Sequence, residues 1–193
     1  MLPFQLKLCI THQVALKEAS SPEFVAYIQQ VKRNAATLAS ALQGLGHSIV
    51  TNGTDNHLLL WDLRPTGLSG AKIEKTCEMC EISVNKNSVS GDTSAVNPGG
   101  VRLGTPAMTT RGMNEGDMQK VAAFLHRIVE LSKKIQSAAA KEKDEKAGGE
   151  GKVTLKEFIS VASLRQEFVD EIEAIRAEVE AYAGSFPLPG ISP

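Results

Sequence analysis

The sequence predicts an α/β fold: a small, mostly antiparallel sheet packed against helices, with a long helix towards the N-terminus. Three observations carry this. Phe24, Ile28, Val31, Ala35, Leu38, Leu42 and Leu45 recur at three- and four-residue steps, the apolar stripe of one long helix. Short apolar runs at Ser48 to Thr51 and Leu58 to Leu63 flank an Asn52-Gly53 pair, a hairpin signal. From Asn85 to Gly112 the chain is dense in Gly, Pro, Ser, Thr and Asn, which build shaped loops around short strands.

Composition sets the bounds. With 193 residues the chain can bury one real core, and a net charge of -1 gives no electrostatic footprint for nucleic acid or an anionic membrane. Aromatics at 5% argue against a base-stacking surface, and no apolar run approaches membrane-spanning length. Three cysteines cannot form a fully paired disulfide framework, which points to a reducing compartment.

Residues 1–13 read as a leader, a short strand or disordered. Lys7 interrupts its apolar run and no small-residue cleavage site comes after it, which argues against a signal peptide. The long helix covers residues 22–45: Ser21 is its N-cap, Pro22 its first position, Glu23 complements its dipole, and Gly44 and Gly46 stop it. Leu58 to Leu63 lacks clean alternation, so that strand is expected to be covered on both faces. His57 beside it reads as a structural histidine rather than a catalyst.

Pro65, Gly67 and Gly70 mark a loop, after which Ser69 caps a helix from Ala71 to about Glu81, with Ile73, Thr76, Cys77 and Cys80 on one face. Ile82-Ser83-Val84 suggests a strand. Asn114 caps a helix with the stripe Met118, Val121, Leu125, Ile128, Leu131 and Ile135. Residues 140–153, charged and glycine-rich, read as a mobile solvated loop. Thr154 with Glu157, and Ser163 with Gln166, are possible capping boxes for two last helices. The second of these carries Phe168, Ile172, Ile175, Val179 and Tyr182 and ends at Gly184 and Pro187.

Candidate chemistry centres on Arg102, set on Val101 to Leu103 between Gly99, Gly100 and Gly104. The glycines remove bulk, so a ligand could approach the backbone. The planar guanidinium fork suits a carboxylate, which it holds by two charge-assisted hydrogen bonds. The bland alternative is a surface arginine on an ordinary strand. A rival site pairs the Cys77-x-x-Cys80 motif with Cys9 and His12, the inventory of a zinc site. The helical setting of Cys77 and Cys80 suits packing better, and no metal is assigned.

Taken together, five strings carry a family likeness: Val14-Ala15-Leu16-Lys17, T-D-N-H-L from Thr54, N-K-N from Asn85, G-G-V-R-L-G-T-P-A from Gly99 and T-T-R-G from Thr109. They resemble serine hydroxymethyltransferase, a pyridoxal-phosphate enzyme that converts serine and tetrahydrofolate to glycine and methylenetetrahydrofolate. The likeness covers residues 14–193 but only the C-terminal part of the family's usual length. It implies the small domain of an aspartate-aminotransferase-like pyridoxal-phosphate enzyme, with helix 22–45 as the link to a large domain.

By the same resemblance Arg102 binds the amino-acid carboxylate, Asn87 hydrogen-bonds the pteridine of the folate, and Ser94, Ala95 and Val96 line the folate site. Ser90 stands where the family commonly has Pro, which implies a less rigid turn. The family's catalytic lysine, in a Thr-rich run ending in His-Lys, has no counterpart: Thr109-Thr110 is followed by Arg111.

The resemblance therefore implies pyridoxal phosphate and tetrahydrofolate in the full-length enzyme and neither bound to this chain. It implies a fragment inactive alone, whose partner is the large domain or a homologous subunit, with self-association through the N-terminal helix and the leader. The compartment would be cytoplasmic or organellar (mitochondrial or plastid). A reading from another class is a non-catalytic interaction module that pairs with full-length subunits. The N-K-N and G-D-T-S-A segments argue against transamination.

Overall fold

The computed structural model describes residues 4–93, 97–147 and 152–190. It is mostly helical, with four short strands among the described residues. These form one antiparallel sheet in the order β1-β2-β4-β3, made of β1 (Ser48–Ile49), β2 (Leu58–Asp62), β3 (Asn85–Asn87) and β4 (Gly100–Gly104).

Helices α1 (Phe4–Ala19) and α2 (Pro22–Gly44) come first. The expected strand or disordered leader is corrected: from Phe4 the chain is helical. Gln, Leu and Lys favour helix there, and neither Gly nor Pro interrupts them. Ser21 caps α2 as expected, its hydroxyl accepting the Phe24 N–H at 3.1 Å. Burial on α2 begins only at Val31 and continues through Asn34, Ala35, Leu38, Ala39 and Leu42. The first two turns of α2 and residues 11–19 of α1 lie largely outside the core.

β1 and β2 pair as expected, Ser48 with Asp62 and Ile49 with Trp61, but Asn52-Gly53 is not a two-residue turn. A 3-10 turn at Val50–Asn52 intervenes and the connection runs through residues 50–57. β2 alternates after all: Leu59 and Trp61 are buried, whereas Leu58, Leu60 and Asp62 are half-buried. The sheet thus has one core face and one open face, so the expectation of a strand covered on both sides is corrected.

α3 (Gly70–Met79) starts after Ser69, but Ser69 does not cap it through its side chain. Gly70 N–H is instead tied to the Pro98 carbonyl at 2.8 Å, and the Ser69 hydroxyl is buried without a hydrogen-bond partner among the described residues. Beyond α3 the left-handed Glu81 (φ 59°) reverses the chain, with Ile82 N–H returning to the Cys77 carbonyl at 2.8 Å. Ile82 to Val84 therefore run as unpaired chain rather than the expected strand, and pairing begins at Asn85.

α4 (Pro106–Thr110) and the 33-residue α5 (Glu115–Ala147) come after β4. Asn114 caps α5: its Oδ1 accepts the Gly116 N–H at 2.9 Å, and Asp117 Oδ2 accepts the Asn114 N–H at 2.8 Å. α5 takes in most of the segment expected to be a loop. Lys, Glu and Ala are good helix formers. Arg165 donates to Glu142 at 2.9 Å, and Lys143 to the Lys152 carbonyl at 2.9 Å, so the last turns have partners. Residues 148–151 lie outside the described residues.

The Thr154–Glu157 capping box forms at the start of α6 (Leu155–Leu164). The Ser163–Gln166 box does not, because α6 runs through Ser163 and the break falls at Arg165, the N-cap of α7 (Gln166–Gly184).

The helices cover one face of the sheet. Leu59, Trp61, Val101 and Leu103 join Leu38, Leu42, Leu125, Ile128 and Leu131 in one core, and Cys77 and Cys80 sit in it as small apolar residues. The other face carries the candidate site residues Arg102 and Asn87.

Candidate functional site

Cross-strand partners in an antiparallel sheet project to the same side. The register sets Leu60, Arg102 and Asn85 in one row, and Asp62, Gly100 and Asn87 in the next. Arg102 and Asn87 are therefore diagonal neighbours on the open face. Arg102 is exposed, and its guanidinium has no hydrogen-bond or ion-pair partner among the described residues. Asn87 is half-buried and donates one amide proton to the Ser88 carbonyl at 3.0 Å.

Beside Arg102 a cleft of about 580 Å³ opens at the end of the sheet. His57, Asn85, Gly104 and Thr105 form its polar side, and Leu58, Ile82, Val84, Met108 and Val121 are among its apolar walls. Volumes of this order suit small ligands.

The loop between β3 and β4 is held at its base. Asp92 Oδ2 accepts the N–H of Val89 at 2.9 Å and of Gly99 at 2.8 Å, and these backbone donors hold its carboxyl below the usual range. Arg64 grips Asp62 with two hydrogen bonds, at 2.9 and 2.7 Å, and reaches the Ser90 carbonyl at 2.8 Å. That brace acts on the turn that contains Ser90. Ser94, Ala95 and Val96 lie outside the described residues.

The glycines divide by role. A Cβ on Gly100 would stand 2.5 Å from Val89 Cγ1 and 2.8 Å from the Trp61 carbonyl oxygen, and one on Gly99 would stand 2.7 Å from Arg64 Cγ. Those two are demanded by chain packing, not by a ligand. Only Gly104, whose nearest neighbour would be Pro106 Cδ at 3.7 Å, leaves the open space the sequence suggested.

T-T-R-G proves to be a lock behind β4. Thr109 Oγ1 accepts from the buried Asn34 amide at 2.9 Å and donates to the Thr105 carbonyl at 2.8 Å. Arg111 donates to the Ala183, Phe186 and Pro187 carbonyls at the end of α7, at 2.5, 3.0 and 3.2 Å. His57 contributes its carbonyl, which accepts the Thr105 N–H at 3.1 Å, while its side chain is exposed.

Two buried polar groups had no signal in the sequence. His47 Nε2 lies 3.0 Å from His126 Nδ1, and the rings of His47 and Trp61 meet edge to face at 4.9 Å. Burial, then the charges of His126 and Lys133, lower the His47 pKa to about 4, against a smaller opposite pull from Glu130. Lys72 is buried, its ammonium donating to Gln136 at 2.7 Å and the Val153 carbonyl at 2.8 Å, and burial lowers its pKa. Each pair joins residues far apart in sequence, so only the fold reveals it.

Among the described residues no group of three or more His, Cys, Asp or Glu is arranged for a metal. Burial pushes the Cys80 thiol up to about 11 and raises Cys77 as well, the opposite of an activated or metal-binding thiol. No helix among the described residues is long and apolar enough to cross a membrane.

A family model described as serine hydroxymethyltransferase matches residues 6–125. Serine hydroxymethyltransferase 5 of Arabidopsis thaliana is 49% identical over 177 residues, covering 92% of this chain and 34% of that protein. The cytosolic serine hydroxymethyltransferase of Oryctolagus cuniculus is 47% identical over 178 residues, 92% of this chain and 35% of its own length. A putative mitochondrial serine hydroxymethyltransferase of Neurospora crassa is 43% identical over 182 residues, 91% of this chain and 33% of its own length. The chain spans about a third of the length of the curated relatives it matches.

Proposed function

We propose a role from this premise: the chain belongs to the serine hydroxymethyltransferase family. Our reading is that it serves as the small domain of such an enzyme and presents the substrate-carboxylate and folate side of the active site to a large domain. One observation carries it: Arg102, whose guanidinium has no partner among the described residues, stands beside Asn87 on the open face of the sheet. An exposed guanidinium with no internal acceptor is free to take both carboxylate oxygens of serine or glycine. The Asn87 amide can both donate to and accept from a pterin edge, with Ser94, Ala95 and Val96 completing that wall.

The cleft residues fit the substrate end and not pyridoxal phosphate. The cleft lining contains no lysine. Nearby, Lys86 pairs with Val101, on the core side of the register, and its ammonium lies 3.5 Å from Glu74. Lys72 is occupied within the core. The cofactor, which supplies an electron sink when bound, thus falls to the large domain, and this chain's part is to orient the substrate. On this reading the chain alone holds no cofactor and turns over no serine. The exposed Val14, Leu16 and Val25, with the half-exposed start of α2, would receive the large domain, and would drive self-association without it. The compartment is cytoplasmic or organellar.

The test is a chimera: residues 14–193 joined to the large domain of the rabbit cytosolic relative and assayed for serine cleavage. Arg102→Lys keeps the charge but loses the fork, and should cost ~2–4 kcal/mol, roughly thirty- to a thousand-fold in kcat/KM. Asn87→Ala should weaken folate dependence and spare glycine binding. An active chimera indifferent to Arg102→Lys would remove Arg102 from the site.

A further inference from the structure

The connection from β1 to β2 carries chemistry the proposed function does not use. Asn52 is exposed and left-handed at φ 56°, and the β-branched Thr51 before it is left-handed too, at φ 62°. Left-handed backbone is strained for both, most of all for the threonine. Gly53 comes next at φ 149°, and nothing lies within 4 Å of where a Cβ would stand. Asn52 Oδ1 accepts a hydrogen bond from Gln43 Nε2 at 2.7 Å.

The backbone nitrogen after an asparagine is one five-membered ring away from the side-chain Cγ. A side chain on the following residue hinders closure of that ring, and glycine removes the hindrance. Among Asn34, Asn52, Asn56, Asn85, Asn87, Asn97 and Asn114, only Asn52 precedes a glycine. Asn97 precedes Pro98, which has no N–H, and Asn34 is fully buried.

We propose that Asn52-Gly53 is a self-modification site, at which the chain converts its own amide to a carboxylate through a cyclic imide. The Gly53 nitrogen, its proton passing to solvent base, attacks Asn52 Cγ. The new N–Cγ bond forms, the Cγ–Nδ2 bond breaks, and Nδ2 leaves as ammonia after taking a proton from water. Water then opens the imide at either carbonyl, giving aspartate or isoaspartate. No electrons are exchanged, and the net change is one water taken up and one ammonia released.

Gln43 assists the first step. Its amide already points at Oδ1, where negative charge develops during the attack, and a donor placed there lowers the barrier. The aspartate product adds a negative charge to the loop that holds Asp55, and the isoaspartate product lengthens the main chain by one methylene between β1 and β2.

The experiment uses the whole folded chain, held at mildly alkaline pH and mapped by peptide mass spectrometry with a fragmentation method that separates aspartate from isoaspartate. A sample in urea runs alongside. Asn52 should convert before every other asparagine, in the folded sample, to both products. Gln43→Ala should slow it severalfold. Conversion in urea alone, earlier conversion at another asparagine, or aspartate without isoaspartate would overturn the proposal. A rate unchanged by Gln43→Ala would overturn the part given to Gln43.

Discussion

The two faces of the sheet are built from the same strands and answer to different physics. On one face Leu59, Trp61, Val101 and Leu103 are at most 7% exposed and meet the helices. On the other, Leu58, Leu60, Asn85, Asn87 and Arg102 are half-buried or exposed. Trp61 pairs with Val101, and one step along Leu60 pairs with Arg102. A shift of one residue along a strand thus separates a side chain that holds the fold from one free to hold a ligand. Because the pleat alternates every residue, a register slip would bury the arginine and expose the tryptophan, so burying the core face also aims Arg102 outwards.

The contrast breaks most visibly from the core side. Trp61 is completely buried, so Trp61→Ala should destabilise by about 3–5 kcal/mol, a large share of a typical domain's stability. Urea unfolding followed by circular dichroism would show it as a lowered midpoint. A loss below about 1 kcal/mol would mean that the core face is not what fixes the sheet.

How far the sequence spoke obeys the same division. The stripe on α2 from Val31 to Leu42 and the caps at Ser21, Asn114 and Thr154 are local signals, and each sits where its residues placed it, whereas Leu45, expected on the stripe, lies past the helix end and is exposed. Features that depend on distant partners were not legible. Gly70 gives its N–H to Pro98, which leaves no capping role for the Ser69 hydroxyl. The charged end of α5 is helical because Arg165 binds Glu142 from the head of α7, and Lys143 reaches the Lys152 carbonyl. For the candidate site, a family motif singled out Arg102 and Asn87, but only the strand register reveals that they share a face. T-T-R-G was legible as a motif and not as a lock, since its acceptors lie at the end of α7.

A smaller effect sharpens the comparison at the edge of the core, where α5 meets the core face. The His47–His126 hydrogen bond needs one ring nitrogen to donate and the other to accept. The folded pKa of His47, about 4, lies below its ordinary 6.5, so the fold favours the neutral ring. Its contribution is present in full above about pH 6.5 and is lost as pH falls towards 4, because the unfolded chain takes up the proton first. Facing it are His126, Glu130 and Lys133 of α5, and Trp61 of β2. The loss should amount to about 1–3 kcal/mol. Carboxylates titrate in the same window, so the measurement is the stability of wild type minus that of His47→Phe. That difference should shrink between pH 7 and pH 5, and a constant difference would mean His47 is not the group responding.

The smallest expected effect on stability belongs to Arg102, and its smallness is the point. The guanidinium touches no acceptor among the described residues, so removing it strands no buried partner. Arg102→Leu also keeps a side chain of moderate size on β4, where it can rest beside Leu60. Stability should change by less than about 0.5 kcal/mol, as for surface positions away from special contacts. The urea slope should not change either, because the surface exposed on unfolding is nearly the same. A side chain that costs nothing to lose from the fold yet disables the chimera belongs to a site. If Arg102→Leu instead cost more than about 2 kcal/mol, the arginine would be part of the scaffold. The open face would then be a second structural surface awaiting its cover, and the division between the two faces of the sheet would fall with it.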